Sequence, residues 1–205
     1  MSHNVRVWTR DRNKSESWYW KDRMQRIGRI INEENPDILC LQELLFPANT
    51  YIPTGYRRVG LSVYHPMYVR KGIKTRKHRF RFRWESCEAY INGKWVFVVN
   101  VHLHWNEKIF ARCMKKINNA VRYQLSIGND VVMCGDWNVD QDKLLKYITN
   151  PVILVPNYKY TFKNKITGHR GVIDHFATNM AFNYMHVLYS NLPLSDHKPI
   201  TLTLQ

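Results

Sequence analysis

The sequence predicts an α/β protein in which two mixed sheets pack as a sandwich, rather than one doubly wound parallel sheet. Short apolar, β-branched runs bounded by turn residues recur along the chain and read as buried strands. Two segments instead carry apolar residues at helical spacing. Hairpins stand between these helix-bearing units, the clearest at Asn92-Gly93, a pair suited to a two-residue turn. A doubly wound sheet would alternate strand and helix throughout.

In order, Val5–Thr9 (VRVWT) alternates like a half-buried strand. A helix follows from about Trp18 to Glu34, with Trp20, Met24, Ile27 and Ile31 on one face, and Asn35-Pro36 closes it. PDILCLQE is a strand ending at Glu43. Tyr56–Tyr64, Met67–Arg70, Arg79–Trp84, Glu88–Ile91 and Trp95–His102 read as further strands, the last two joined by Asn92-Gly93. A second helix covers Glu107–Leu125, a strand covers Val131–Cys134, and a short helix begins near Asp140. Val172–Thr178 and Ile200–Leu204 are strands near the end. With no repeat, low-complexity segment or linker, residues 1–205 read as one domain.

The 205 residues suffice for one sizeable core, and an apolar fraction of 44% excludes wholesale disorder. The formal charge of +15 raises the local concentration of polyanions and makes nucleic acid or an anionic membrane the natural partner. Cys40, Cys87, Cys113 and Cys134 form no C-x-x-C pair, so a zinc ribbon or redox motif is not supported. Cys40 and Cys134 lie within apolar strands, as reduced cysteines do in a reducing compartment. No apolar run approaches membrane-spanning length and no signal-type segment opens the chain. The expectation is a soluble intracellular monomer, cytoplasmic or nuclear, with no membrane partner.

Three apolar runs stop at carboxylates: PDILCLQE at Glu43, VVMCGDWN at Asp136 and Asn138, and LPLSDHKPI at Asp196 and His197. Side chains at strand ends can gather at one rim of a sheet, and gathered carboxylates call for a cation. Oxygen ligands beside histidine point to Mg²⁺ or Mn²⁺ and phosphate chemistry rather than to zinc. Within GDWN, Gly135 lets the backbone turn tightly, Asp136 can hold water or metal, and the Asn138 amide can donate to a phosphoryl oxygen. The alternative use of this stretch is an Asx turn capping the next helix. His197 can shuttle protons, with Asp174 of VIDHF as the acceptor for its other nitrogen. His175 points to the opposite face and reads as structural. His102 ends VFVVNVHL and could donate to phosphate, with His104 as its rival and core packing as the alternative.

LQE, NVHL, GDWN, VIDHF and SDHKPI, in this order, resemble the endonuclease/exonuclease/phosphatase superfamily, the DNase I-like fold. The resemblance runs from Val5 to Leu204 and implies a four-layered α/β/β/α sandwich with Mg²⁺-dependent phosphoester hydrolysis at one rim. Carried over, Glu43 ligates metal, Asp136 positions or activates the attacking water, and Asn138 and His102 bind the scissile phosphate. Asp196 joins the metal shell or supports His197, and the Asp174–His197 pair gives phosphate binding and general acid/base help. The family's first strand ends in an Asn, which this chain reads as lacking. Counting back from Glu43 in step with Arg23 and Pro36-Asp37 puts Asp11 there. Registering on Trp8 puts Thr9 there instead, and Asp11 is then the nearest metal ligand.

The basic residues decide among substrates. Arg70–Arg83 (RKGIKTRKHRFRFR) holds eight Lys or Arg and no acid, about half the excess charge. A strand over Arg79–Trp84 would place Arg79, Arg81 and Arg83 on one face for phosphate oxygens. Phe80, Phe82 and Trp84 would occupy the other, assigned to core packing ahead of base stacking. Arg10 and Arg170 flank the acidic centre. The expected activity is an endonuclease of low sequence specificity using Mg²⁺ (or Mn²⁺), with DNA favoured over RNA. Alternatives are a DNA end-processing phosphodiesterase or phosphatase (tyrosyl-DNA, abasic-site or inositol-phosphate type) and a catalytically weakened nucleic-acid-binding relative.

Overall fold

The structure, a computed structural model, describes residues 1–6, 19–44, 48–149, 151–164, 166–192 and 194–205. The first sheet is built from β1 (Ser2–Asn4), β2 (Ile38–Gln42), β3 (Tyr56–Val59), β4 (Met67–Arg70), β13 (Phe182–Val187) and β14 (Ile200–Leu204), in the order β13-β14-β1-β2-β4-β3. The second is built from β5 (Thr75–Arg81), β6 (Trp84–Ile91), β7 (Lys94–His102), β8 (Asp130–Asp136), β9 (Ile153–Leu154) and β12 (Asp174–Thr178), in the order β5-β6-β7-β8-β12-β9. A small ribbon, β10 (Phe162–Lys163) with β11 (Arg170–Gly171), stands apart. Each sheet holds one parallel pair, β1 with β2 and β7 with β8. Such pairs need a crossover, supplied by α1 (Trp20–Glu34) and α2 (Glu107–Ser126).

Both helices begin and end where the sequence marks them. Asn106 caps α2 by accepting from Ile109 N at 3.3 Å, and Asn35 closes α1 in the left-handed region before Pro36. Asp140 caps α3 (Gln141–Leu145) through Lys143 N at 2.9 Å. Met24, Ile27 and Ile31 of α1 pack on Leu39 and Leu41 of β2, whereas Phe110, Met114, Ile117 and Val121 of α2 pack on the second sheet. Each fully buried side chain of this kind contributes about 2 kcal/mol.

Strand alternation sorts the remaining residues into the layer between the sheets. Phe97, Val99 and Val101 of β7 face α2, so Val96 and Val98 face the first sheet beside Cys40, Cys134, Phe176 and Ile200. The order helix, sheet, sheet, helix is the expected four-layered sandwich. Continuing the same alternation brings Asn100 and His102 of β7, Asp136 of β8 and Asp174 of β12 to one end of the inter-sheet layer. There the layer turns polar: Gln42 Nε2 donates to Asn100 Oδ1 at 2.7 Å, and Asn100 donates to Leu41 O and His65 O at 2.9 Å each. The four cysteines are free, and Cys40 and Cys134 are buried as expected. Among the described residues no helix is long and apolar enough to cross a membrane.

Three sequence expectations are corrected. The first described strand is Ser2–Asn4, and Val5 and Arg6 lie past its end, while the remainder of the expected Val5–Thr9 strand falls outside the described residues; the residues of β1 are polar yet buried, because β14 and β2 flank it on both sides. The strand expected over Tyr56–Tyr64 stops at Val59, where Gly60 takes φ +84° and the Glu85 carboxylate accepts from Leu61 N at 2.6 Å and Ser62 N at 2.9 Å. The alternating strand over Arg79–Trp84 does not form. Arg81 pairs with Trp84, so Phe82 and Arg83 make a two-residue turn between β5 and β6. Upstream, an irregularity between Arg76 and Arg79, with Lys77 at φ +51°, resets the register.

Gly135 is required by space as well as by conformation. Its φ is +142°, and a Cβ there would overlap Val101 O of the neighbouring strand and lie 2.8 Å from Val101 N. Gly135→Ala is expected to destabilise the fold by at least ~3 kcal/mol, read as a lowered urea midpoint, because the obstacle is backbone and cannot swing aside.

Candidate active site

Asp136 is the hub of the polar end, with only 1% of its surface exposed. Its Oδ1 accepts from Asn138 N at 2.9 Å, and its Oδ2 accepts from Asn4 Nδ2 at 3.0 Å. The same Asn4 nitrogen donates to Glu43 Oε1 at 3.1 Å, so one amide joins the ends of β1, β2 and β8. Asn4 therefore occupies the strand-end position at which the sequence was read as lacking Asn. The expectation placed on Asp11 or Thr9, and that on Arg10, falls outside the described residues. Sequence reading missed Asn4 because Ser-His-Asn carries no apolar signature; the signal available was an Asn beside the apolar Val5.

His102 Nε2 lies 3.6 Å from Asp136 Oδ2 and 3.7 Å from Glu43 Oε1. His197 Nε2 approaches Asp136 Oδ2 from the other side at 3.7 Å. Its Nδ1 is held by Asp174, 2.9 Å from Oδ2 and 3.2 Å from Oδ1. Burial alone would lower the His197 pKa, but Asp174 and then Asp136 outweigh it and hold the imidazolium up to about 10. Burial, the largest influence, raises the Asp174 pKa against the lowering effect of His197. Thr161 Oγ1 fixes the start of β12 by accepting from Ile173 N and Asp174 N at 3.1 Å each. His104 accepts from Asn106 N at 2.9 Å, and it is His102 that faces Glu43 and Asp136.

The GDWN turn is anchored from beneath. Trp137, wholly buried, donates to His175 O at 3.1 Å, and His175 Nε2 meets Val139 O at 3.1 Å, the structural part expected of it. Asn138 lines the cavity at φ +54°, with one amide hydrogen committed to Leu103 O at 2.8 Å. Asp196 pairs with Arg6, and both line the same cavity of about 400 Å³ with Glu43, Tyr64, His102 and His197. Arg23, buried beneath, donates to Val5 O, Leu194 O and Arg6 O at 2.9, 2.7 and 2.8 Å. It thereby ties the end of the first strand to the loop that delivers Asp196 and His197.

Asp136, Asp174 and His197 offer ligand atoms within 4.8 Å of one another and could hold a metal ion. The charges in the cavity test that fit. Glu43, Asp136, Asp174 and Asp196 supply four carboxylates; Arg6 offsets one at Asp196, and the raised His197 offsets one at Asp174. Two negative charges remain, on Glu43 and Asp136, whose oxygens converge on Asn4 Nδ2. Paired hard oxygens with a net charge of about −2 suit a divalent cation such as Mg²⁺ or Mn²⁺.

The basic segment divides in two. Arg70 pairs with Asp37, while Arg76 and Lys77 hold the buried Glu88 at 2.7 and 3.3 Å. Arg79, Arg81 and Arg83 form no ion pair with a carboxylate among the described residues. Their hairpin tip abuts the site, since His102 N donates to Arg83 O at 3.0 Å. Arg170 is exposed, its guanidinium 4.6 Å from the centre of the Tyr160 ring.

A sequence model described as the Endonuclease/Exonuclease/phosphatase family matches residues 1–197. No curated protein matches the chain. Among solved structures, truncated Caenorhabditis elegans TDP2 aligns with TM-score 0.78 at 22% identity, covering 99% of this chain and 95% of that one. D. rerio TDP2 complexed with single strand DNA product aligns with TM-score 0.78 at 15% identity, covering 100% and 97%. A Bacteroides thetaiotaomicron mannosyl-6-phosphatase aligns with TM-score 0.77 at 17% identity, covering 100% and 98%. These likenesses establish the fold.

The rim also carries buried neutral histidines. Burial lowers His65 from 6.5 to about 4 and His3 from 6.5 to about 3, against the raising effect of their bonds to Arg81 O and His197 O. Below 6.5 the unfolded chain binds protons that the folded chain refuses, so stability should fall as pH drops from about 6.5 towards 4. Urea denaturation between about pH 7 and 4.5 checks this, and His65→Gln should flatten the slope.

Proposed function

The chain belongs to the endonuclease/exonuclease/phosphatase family, and from that membership we propose a divalent-cation-dependent phosphodiesterase that cleaves nucleic acid, DNA in preference to RNA. The observation that carries this reading is a buried acidic centre, fed by both sheets, against a hairpin tip whose arginines form no ion pair with a carboxylate among the described residues. A compact acid cluster alone would repel a polyphosphate. The net +15 charge and the Arg79, Arg81 and Arg83 tip supply the opposing field that draws a polyanion in.

Glu43 and Asp136 would hold the Mg²⁺ or Mn²⁺, with Asn4 fixing their spacing. When bound, the cation supplies Lewis-acid polarisation of a phosphoryl oxygen. Asp136, oriented by Asn4 and Asn138, accepts a hydrogen bond from the attacking water. His197, its Nδ1 held by Asp174, presents Nε2–H towards the same space as a donor to the phosphoryl group or leaving oxygen. His102 Nε2 offers a second donor from the facing wall. Arg6 keeps Asp196 neutralised, which leaves Asp196 orienting the entrance rather than ligating metal. The free cysteines fit a reducing, intracellular setting.

A second reading, processing of DNA ends, is favoured by the full-length likeness to D. rerio TDP2, whose structure holds a single-strand DNA product. Labelled circular plasmid, linear duplex, single strands and RNA, each with Mg²⁺, Mn²⁺ or EDTA, separate the two. Nicked circles support internal cleavage; loss of end groups without internal cuts supports end processing. Asp136→Asn should lower turnover at least ~100-fold on every substrate, and EDTA should abolish it. Arg79, Arg81 and Arg83 changed together to Ala should weaken oligonucleotide binding and reduce its salt dependence, with little loss on a small phosphodiester. Equal loss on both substrates would remove the tip from the binding face.

A further inference from the structure

The β5–β6 hairpin tip carries a feature that phosphate binding does not use. Phe82 has 78% of its surface exposed, and Phe80 has 45%. A two-residue hairpin turn favours Asn or Gly with positive φ, and neither Phe82 nor Arg83 adopts one. With no positive φ the turn accepts most residues and so does not call for Phe82, and the exposed ring fills no core. Its ring lies 4.6 Å from the Arg83 guanidinium on one side, and its exposure leaves ring surface open to solvent.

The tip is also continuous with the cavity. Tyr64, in the cavity wall, stacks on His102 with centroids 5.6 Å apart and planes at 14°. His65, next in sequence, stacks on Phe80 at 5.9 Å and 23°. Aromatic rings thus run from the acidic centre to the tip, with Arg79, Arg81 and Arg83 alternating among Phe80 and Phe82. The loop that carries Tyr64 and His65 is pinned by Glu85, and Ser62 Oγ accepts from His65 N at 3.0 Å, so the rings are held in place before any ligand arrives.

Aromatic faces interleaved with guanidiniums match a strand whose bases are unpaired. A duplex offers phosphates to the arginines but keeps its base faces stacked within. We propose that Phe82 is a base-stacking residue and that this site selects nucleic acid that is single-stranded beside the scissile phosphate. The proposal rests on the phosphodiesterase reading for its substrate, though its binding arm does not depend on turnover.

The test measures fluorescence anisotropy of a labelled single-stranded oligonucleotide and of the blunt duplex of the same sequence, bound to the full chain in an Asp136→Asn background. Phe82→Ala should weaken single-strand binding by about fivefold or more and duplex binding by less than about twofold. Phe82→Trp should restore the single-strand affinity, which a structural role for the exposed ring would not produce. Equal losses on the two ligands, or no loss on either, would overturn the proposal; the second would assign the ring to a protein partner. Hydrolysis of bis(p-nitrophenyl) phosphate by the chain with Asp136 intact tests the parent reading separately. Absence of hydrolysis in the unsubstituted chain would remove the enzyme reading and leave the binding comparison standing.

Discussion

The hydrogen bonds from one Asn4 nitrogen to Asp136 and Glu43 join the two sheets at the point where their shared layer stops being apolar. A carboxylate as buried as Asp136 is costly unless its oxygens are satisfied. Asn138 and Asn4 meet that need from the second and the first sheet respectively. The requirement then propagates outward. Asn4 must end β1 at a fixed height, so β1 stays in register with β2. Gly135 must lack a side chain, so that β8 can lie close against Val101 and bring Asp136 to the layer's edge. Stability and chemistry share these residues.

The helices serve this arrangement indirectly. By covering the outer faces they make Phe97, Val99 and Val101 choose one side, and strand alternation delivers His102 to the other. Arg23 extends the control to the chain's far end. One guanidinium from α1 accounts for the carbonyls of Val5, Arg6 and Leu194, which places Arg6 opposite Asp196. Loops more than 170 positions apart in sequence thus meet at a side chain that never touches the cavity's contents.

Much of this was legible in the sequence because Glu43, His102, Asp136 and Asp174 each adjoin an apolar run whose period and length declare a strand, whereas His197 stands on a loop before β14. Position in the run then sets the face, which is why Asp174 and His175 could be told apart from alternation, whereas His102 and His104 share a face and could not. Asn4 was not legible for the converse reason. Ser2, His3 and Asn4 are a strand only because β2 and β14 supply partners, and that pairing is tertiary. The tip failed differently. RFRFRW alternates as well as any strand in the chain, but the irregularity at Lys77 and the pairing of Arg81 with Trp84 cut the pattern with a turn. Local alternation cannot report where a partner strand folds back.

That misreading alters the physical sense of the basic segment. As one continuous strand it would have been a flat face of guanidiniums backed by aromatics in the core. As a hairpin it divides its charges between base and tip. Arg76 and Lys77 neutralise the buried Glu88 at the base, while Arg79, Arg81 and Arg83, which form no ion pair with a carboxylate among the described residues, lie towards the tip, whose Arg83 O accepts from His102 N. The base is where a hairpin needs stiffness, and the Arg76 guanidinium also lies 3.9 Å above the Trp95 ring there. Charge consumed at the base holds the tip against the cavity. A centre left with about two negative charges can then face a polyanion, because the cations that counter the repulsion are not free to drift away from it.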